Sequence, residues 1–175
     1  MKKISTFLAV IGMIVISSCE GPQGPPGFDG LDGQDGLIAE VFELKNVDLE
    51  FVTFDEYSIF QTLTPQIFAS DVILIYRMTG TIDANTPIWR LIPNAVSPAP
   101  PQGTVNYDFD FSKEDFTIYV RGTYDLSLTP QYIDNQTFRI VIVPGDFSAS
   151  INKNNYAEVM AALNIKESQI QSINF

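Results

Sequence analysis

Asp108 and Asp110 alternate with Tyr107, Phe109 and Phe111, so a strand there would carry both carboxylates on one face. A pair of carboxyls can do acid–base work on glycosidic bonds, although the solvated outer face of a strand has the same pattern and is its commoner cause. Ser150-Ile151-Asn152-Lys153 matches the S-x-x-K of serine acyl-enzymes, but it lies in a polar stretch and no S-D-N or K-T-G follows. Asp55-Glu56 and Asp134-Asn135 offer oxygen ligands for calcium, as isolated acidic pairs in any acidic chain do. Trp89, Tyr57, Tyr124 and Tyr132 offer flat faces for a sugar or peptide, yet aromatics in strands usually build the core. The chain has no histidine, so the commonest general base and transition-metal ligand are both missing. Catalysis would have to rest on serine or threonine with lysine, or on carboxylates alone. The sequence therefore assigns no catalytic residues, no metal and no cofactor, and a non-enzymatic protein is expected.

The elements that would position such groups need a core, and 175 residues with 45% hydrophobic and 12% aromatic content are enough for one domain. Formal charge is −11. So acidic a chain repels phosphate backbones, which argues against nucleic acid as a partner. A single cysteine forbids an internal disulfide.

That cysteine, Cys19, ends a segment with its own logic. Lys2 and Lys3 precede an apolar run from Ile4 to Ile16, followed by Ser17 and Ser18. The run is too short for the ~20 apolar residues of a spanning helix but fits the apolar region of a signal peptide. Ile16-Ser17-Ser18-Cys19 resembles the lipobox of bacterial lipoproteins, where an aliphatic and two small residues precede the lipidated cysteine. This implies residues 1–18 as a signal peptide and palmitate-type acyl chains at Cys19. It also implies a membrane partner engaged through the lipid anchor, since two or more chains hold stably where one does not. Cleavage removes Lys2 and Lys3, leaving 8 basic against 21 acidic residues and a charge of −13.

Glycine then recurs at Gly21, Gly24, Gly27, Gly30, Gly33 and Gly36. A strict period of three is the collagen signature, because only glycine fits where three polyproline II chains meet. Pro22, Pro25 and Pro26 suit that geometry, whereas Asp29, Asp32 and Asp35 would crowd nine carboxylates into a trimer with no lysine in the tract. Residues 19–36 are thus expected to be a lipidated, semi-extended stalk reaching on the order of 50 Å at ~3.1 Å per residue, with a homotrimer through the Gly-X-Y tract as the alternative.

Residues 37–175 are expected to form the globular domain. Val47, Leu49 and Phe51 alternate with Asn46, Asp48 and Glu50; Val105 to Phe111 and Phe116 to Arg121 alternate likewise, predicting half-buried strands. Val72 to Met78 and Phe138 to Val143 are more continuously apolar and predict central strands. Asp55-Glu56, Gly80 to Thr86, the proline-rich Asn94 to Gly103, Arg121-Gly122, Thr129-Pro130 and Pro144 to Asp146 punctuate them at antiparallel spacing. The fold class is all-β: an antiparallel sandwich or open barrel of about seven to nine strands. Asn154 or Asn155 is expected to cap one short helix with Tyr156, Val159, Met160 and Leu163 on one stripe. A last strand follows at Ile170 to Phe175. The loop from Asn94 to Gly103 is the expected contact site, since loops on rigid sandwiches carry binding.

Taken with the lipobox, the segments GPQGPPG, TPIWRLIPN, TFRIVIVP and NNYAEVMAALNIKESQIQSINF make the chain resemble small collagen-like lipoproteins of Bacteroidota along nearly its whole length. The resemblance implies a lipid-anchored location in the cell envelope, with the outer membrane expected, and carries over no catalytic residues. A flavin-dependent disulfide dehydrogenase is excluded, since the chain has neither a cysteine pair nor a G-x-G-x-x-G turn. The expected role is interaction or structure, with an unknown surface protein or glycan as partner; the alternative is a carboxylate hydrolase or carbohydrate-binding module. The stalk reading expects the soluble mature form to sediment as a monomer with or without residues 21–36; a trimer that dissociates on their deletion would establish the triple helix instead.

Overall fold

The computed structural model describes residues 40–98, 103–145 and 152–175. Cys19, the six glycines of the repeat and Ser150 lie outside the described residues. The domain is all-β, with two five-stranded sheets and one short helix. The strands are β1 (Glu40–Val47), β2 (Glu50–Thr53), β3 (Glu56–Thr62), β4 (Val72–Asp83), β5 (Thr86–Leu91), β6 (Asn94–Val96), β7 (Val105–Phe111), β8 (Asp115–Gly122), β9 (Gln136–Val143) and β10 (Gln171–Asn174). Helix α1 (Tyr156–Ala162) precedes β10. The first sheet runs β10-β1-β9-β4-β5 and the second β2-β3-β8-β7-β6. Pairing is antiparallel except between β10 and β1.

Alternation decides which residues meet. Leu44, Ile73, Ile75, Phe138, Ile140 and Ile142 of the first sheet pack against Ile59, Val105, Tyr107, Phe116, Ile118 and Val120 of the second, forming the main core of a sandwich. On the other side of the first sheet, Val41, Leu74, Tyr76, Val141 and Val143 pack against Val159 and Met160 of α1. Strand β9 is buried on both sides along its whole length, which is why its sequence shows no alternation.

The helix follows the expected stripe: Val159 and Met160 are buried while Tyr156 and Leu163 are partly buried on the same cluster. Asn155 caps it by accepting from the Glu158 amide at 3.3 Å. It stops at Ala162 because Asn164 takes a left-handed φ of 55°. The amides of Asn164 and Ile165 then turn back to the carbonyls of Ala161 and Met160.

Three expectations are corrected. The alternation from Asn46 to Phe51 is not one strand: Asn46, at φ 56°, kinks the end of β1, and the chain crosses to the other sheet to begin β2. Val47 and Leu49 stay in the core, while Phe51 is 67% exposed. The segment Asn94 to Gly103 is not wholly irregular, for Asn94–Val96 form β6 against β7. Gly80 to Thr86 is not all turn either: β4 continues to Asp83, with a register shift near Gly80, and the hairpin turns at Ala84-Asn85, where Asp83 accepts from the Asn85 amide at 2.9 Å. Ten strands are thus present among the described residues, close to the seven to nine expected. Phe138→Ala is expected to cost roughly 3–5 kcal/mol in urea unfolding, against under about 1 kcal/mol for Phe60→Ala on the open face.

Candidate functional site

The two sheets end in contrasting outer faces. On the first, Glu43 of β1, Arg139 of β9 and Tyr76 of β4 stand side by side in register. Arg139 is fully enclosed. Its Nε donates to Glu43 Oε1 at 2.9 Å, Nη2 donates to the same carboxylate, and Nη1 donates to Glu167 at 2.9 Å and to the Tyr156 hydroxyl. The guanidinium lies 4.2 Å from the centre of the Trp89 ring and 4.9 Å from that of Tyr156. Lys45 adds a second cation 3.0 Å from Glu43.

Burial by itself pushes the Glu43 pKa up, and the hydrogen bonds from Arg139 and Lys45 outweigh it, leaving the carboxyl below its ordinary 4.5. Burial works against the charge on Arg139 as well, and Glu167 and Glu43 more than restore it. Burial pushes the hydroxyl of Tyr156 up, and that of Tyr76 to about 12. Perturbed groups gathered in this way often mark active sites. Here Arg139 has 4% of its side chain exposed and lies against two adjoining rings, so the cluster fastens α1 and the Glu167 turn to the sheet. Trp89 is accordingly a wall of this cluster and not a free stacking face.

The outer face of the second sheet is open. Glu56, Arg121, Asn106 and Ala95 form one cross-strand row; Ser58, Tyr119 and Asp108 form the next; Phe60, Thr117 and Asp110 form the third. Glu56 holds Arg121 with two contacts of 3.1 Å. The Arg121 guanidinium lies 4.6 Å from the centre of the Tyr119 ring, and the Tyr119 hydroxyl donates to Asp110 at 2.9 Å. That hydrogen bond pushes the Tyr119 pKa up, and the one to Glu56 raises that of Arg121. A cleft of about 450 Å³ opens beside this lattice, lined by Pro93, Asn94, Asn106, Tyr107, Asp108 and Arg121. A smaller one, about 260 Å³, has Phe42, Ile142 and Ile173 in its wall and Glu40 as its one ionisable side chain.

Of the candidate residues, Asp108 and Asp110 do share a face of β7, a strand repeat of ~6.5–7 Å apart. They point the same way from one strand and do not oppose each other across a groove. Asp108 reaches the cleft, while Asp110 is engaged by Tyr119. Asp55 accepts from Thr53 at 2.7 Å in the β2–β3 turn, and Glu56 is committed to Arg121. Asn135 donates its amide to Asp48 at 2.8 Å. Among the described residues no three acidic side chains converge on a point that could hold a metal. Lys153 of the S-x-x-K match gives its carbonyl to the Tyr76 hydroxyl at 2.7 Å. Tyr57, Tyr124 and Tyr132 pack partly buried on the main core.

Sequence reasoning missed both arginine networks. For Arg139 the available signal was a lone charge inside an apolar strand, which must find a partner when the strand is buried. Compared with protein families, curated proteins and solved structures, the chain matches none.

A depressed carboxyl pKa stabilises the fold above its unfolded-state value, and that stability is lost as pH falls through the folded value. The thermal midpoint should therefore decline as pH drops below about 4.5. Glu43→Gln should flatten that part of the decline and lower stability at neutral pH by roughly 3–5 kcal/mol, as breaking one side of a buried pair does.

Proposed function

We propose that the chain is a lipoprotein of the cell envelope, anchored through Cys19, whose sandwich is a non-enzymatic binding module presenting the outer face of the second sheet. The anchoring half of this reading is supported by the basic residues, the short apolar run and the lone cysteine in sequence register. The binding half is carried by one observation, the asymmetry of the two faces. The first sheet hides its outer side chains beneath α1, whereas the second exposes Asn106, Asp108, Asp110 and Arg121 on regular strands beside a cleft. Groups fixed by strands are held more precisely than groups on loops, which suits recognition. The contact site thereby moves from the proline-rich loop to the strands flanking it. No helix among the described residues is long and apolar enough to cross a membrane, and in this reading attachment is left to the acyl chains.

Two measurements test the proposal. Radiolabelled palmitate should enter the wild-type protein and not Cys19→Ser, which should leave the membrane fraction; equal labelling of both would overturn the anchor. A photo-crosslinking phenylalanine analogue in place of the exposed Phe60 should capture an envelope component in intact cells, while the same probe at Ala161 on α1 should not. Equal capture from both positions, or from neither, would overturn the assignment of the face.

A further inference from the structure

Resting on that assignment of the face, we infer that the cleft beside Asp108 binds a neutral saccharide, holding neighbouring hydroxyls of one sugar ring. Its volume, about 450 Å³, lies within the roughly 300–1,000 Å³ of small-ligand sites. Its polar lining is mixed: the Asp108 carboxylate only accepts hydrogen bonds, the Arg121 guanidinium only donates, and the carboxamides of Asn94 and Asn106 do both. A hydroxyl is itself donor and acceptor, so a row of sugar hydroxyls satisfies such a set, whereas a ligand of one polarity leaves half of it unpaired.

Charge narrows the choice. The guanidinium of Arg121 is already neutralised by Glu56, so no free cation remains in the cleft to attract a phosphate or carboxylate. For a cationic ligand the cleft offers only Asp108, because Asp110 is turned to Tyr119 and no aromatic box surrounds the site. One oxygen of Asp108 accepts the Phe109 amide at 2.8 Å, which fixes the carboxyl and leaves its other oxygen for a ligand. Asn106 is exposed on the same face of β7. Asn94 donates to the Leu91 carbonyl at 2.9 Å, yet its Oδ1 is a buried acceptor without a partner among the described residues. Buried acceptors are rarely left so, and a small shift of this one toward the cleft would meet a hydroxyl donor. Pro93 at the rim gives the C–H face of a sugar ring an apolar contact.

The test uses the full lipoprotein solubilised in non-ionic detergent, run through native gels containing a neutral β-glucan, galactomannan, α-mannan or xylan. Parallel gels contain anionic polygalacturonate, and a cationic lysine-rich peptide is titrated separately. At least one neutral polysaccharide should retard the protein, with little loss at high salt. Asp108→Asn, which keeps the side-chain shape, and Asn106→Ala should each weaken that binding about tenfold, the effect of one hydrogen bond to a polar or charged partner. Asp134→Ala, in the loop before β9, should leave it unchanged. Retardation that survives both cleft variants would place the sugar elsewhere and overturn the inference, as would binding confined to polygalacturonate or to the lysine-rich peptide. If no polysaccharide binds while the probe at Phe60 still captures a partner, the saccharide inference fails and the face assignment stands. If both fail, both are wrong.

Discussion

The arrangement depends on one charge, the guanidinium of Arg139, placed in the middle of a strand buried on both sides. Desolvating such an ion costs several kcal/mol, so the strand is stable there only if the surroundings answer the charge and shut out water. Glu43 answers from the neighbouring strand, and Glu167 from beyond the helix. Trp89 and Tyr156, whose ring centres are 5.9 Å apart, cover the guanidinium as two adjoining rings. A helix of seven residues has little stability of its own, so α1 exists because this surface holds it. The last segment of the chain is thereby committed to the first sheet, and the second sheet keeps a free face.

A second arginine shows the same constraint solved differently. Arg77 of β4 points the opposite way, toward the gap between the sheets, and is also buried. No carboxylate meets it among the described residues. It donates to Gln136 at 2.9 Å and lies 4.2 Å from the centre of the Tyr107 ring. Gln136 passes the contact on to the carbonyls of Gln131 and Asp134, and Tyr107 to that of Tyr132. Burial accordingly depresses the Arg77 pKa, where that of Arg139 is raised. The loop before β9 is pinned by this polar chain, which closes one end of the sandwich.

Hydrophobic period made much of this legible, and it failed where period carries no information. It located β7, β8, the apolar centres of β4 and β9, and the helix with its Asn155 cap, because each spans several repeats of one buried face. It joined Asn46 to Phe51 into one strand because Val47, at the end of β1, and Leu49, just before β2, remain in the same core, so the period survives while the partner sheet changes. Strands β2 and β6, of four and three residues, are too short to show a period, and both are edges of the second sheet. Short edges are a common defence against strand addition by another chain, so the feature that hid them from the sequence is a property of the fold. For the site, the alternation placed Asp108 and Asp110 on one face. It could not show that Tyr119 occupies one and a cleft adjoins the other, since cross-strand register is not written in either strand alone.

Charge links the open face to the compartment proposed for it. On that face Glu56 and Arg121 cancel, leaving Glu50, Asp108, Asp110 and Asp115 as its excess, in a chain of formal charge −11. Within a Debye length of about 8 Å, such a surface is repelled by anionic headgroups and by anionic polymers. On the proposed anchoring, that repulsion would favour a face held farther from the bilayer than the screening distance. The same excess would let uncharged polar ligands approach at no electrostatic cost, leaving the mixed donors and acceptors of the proposed site to decide among them. Repulsion from an anionic surface and the proposed preference for neutral polyols would thus follow from one distribution of carboxylates.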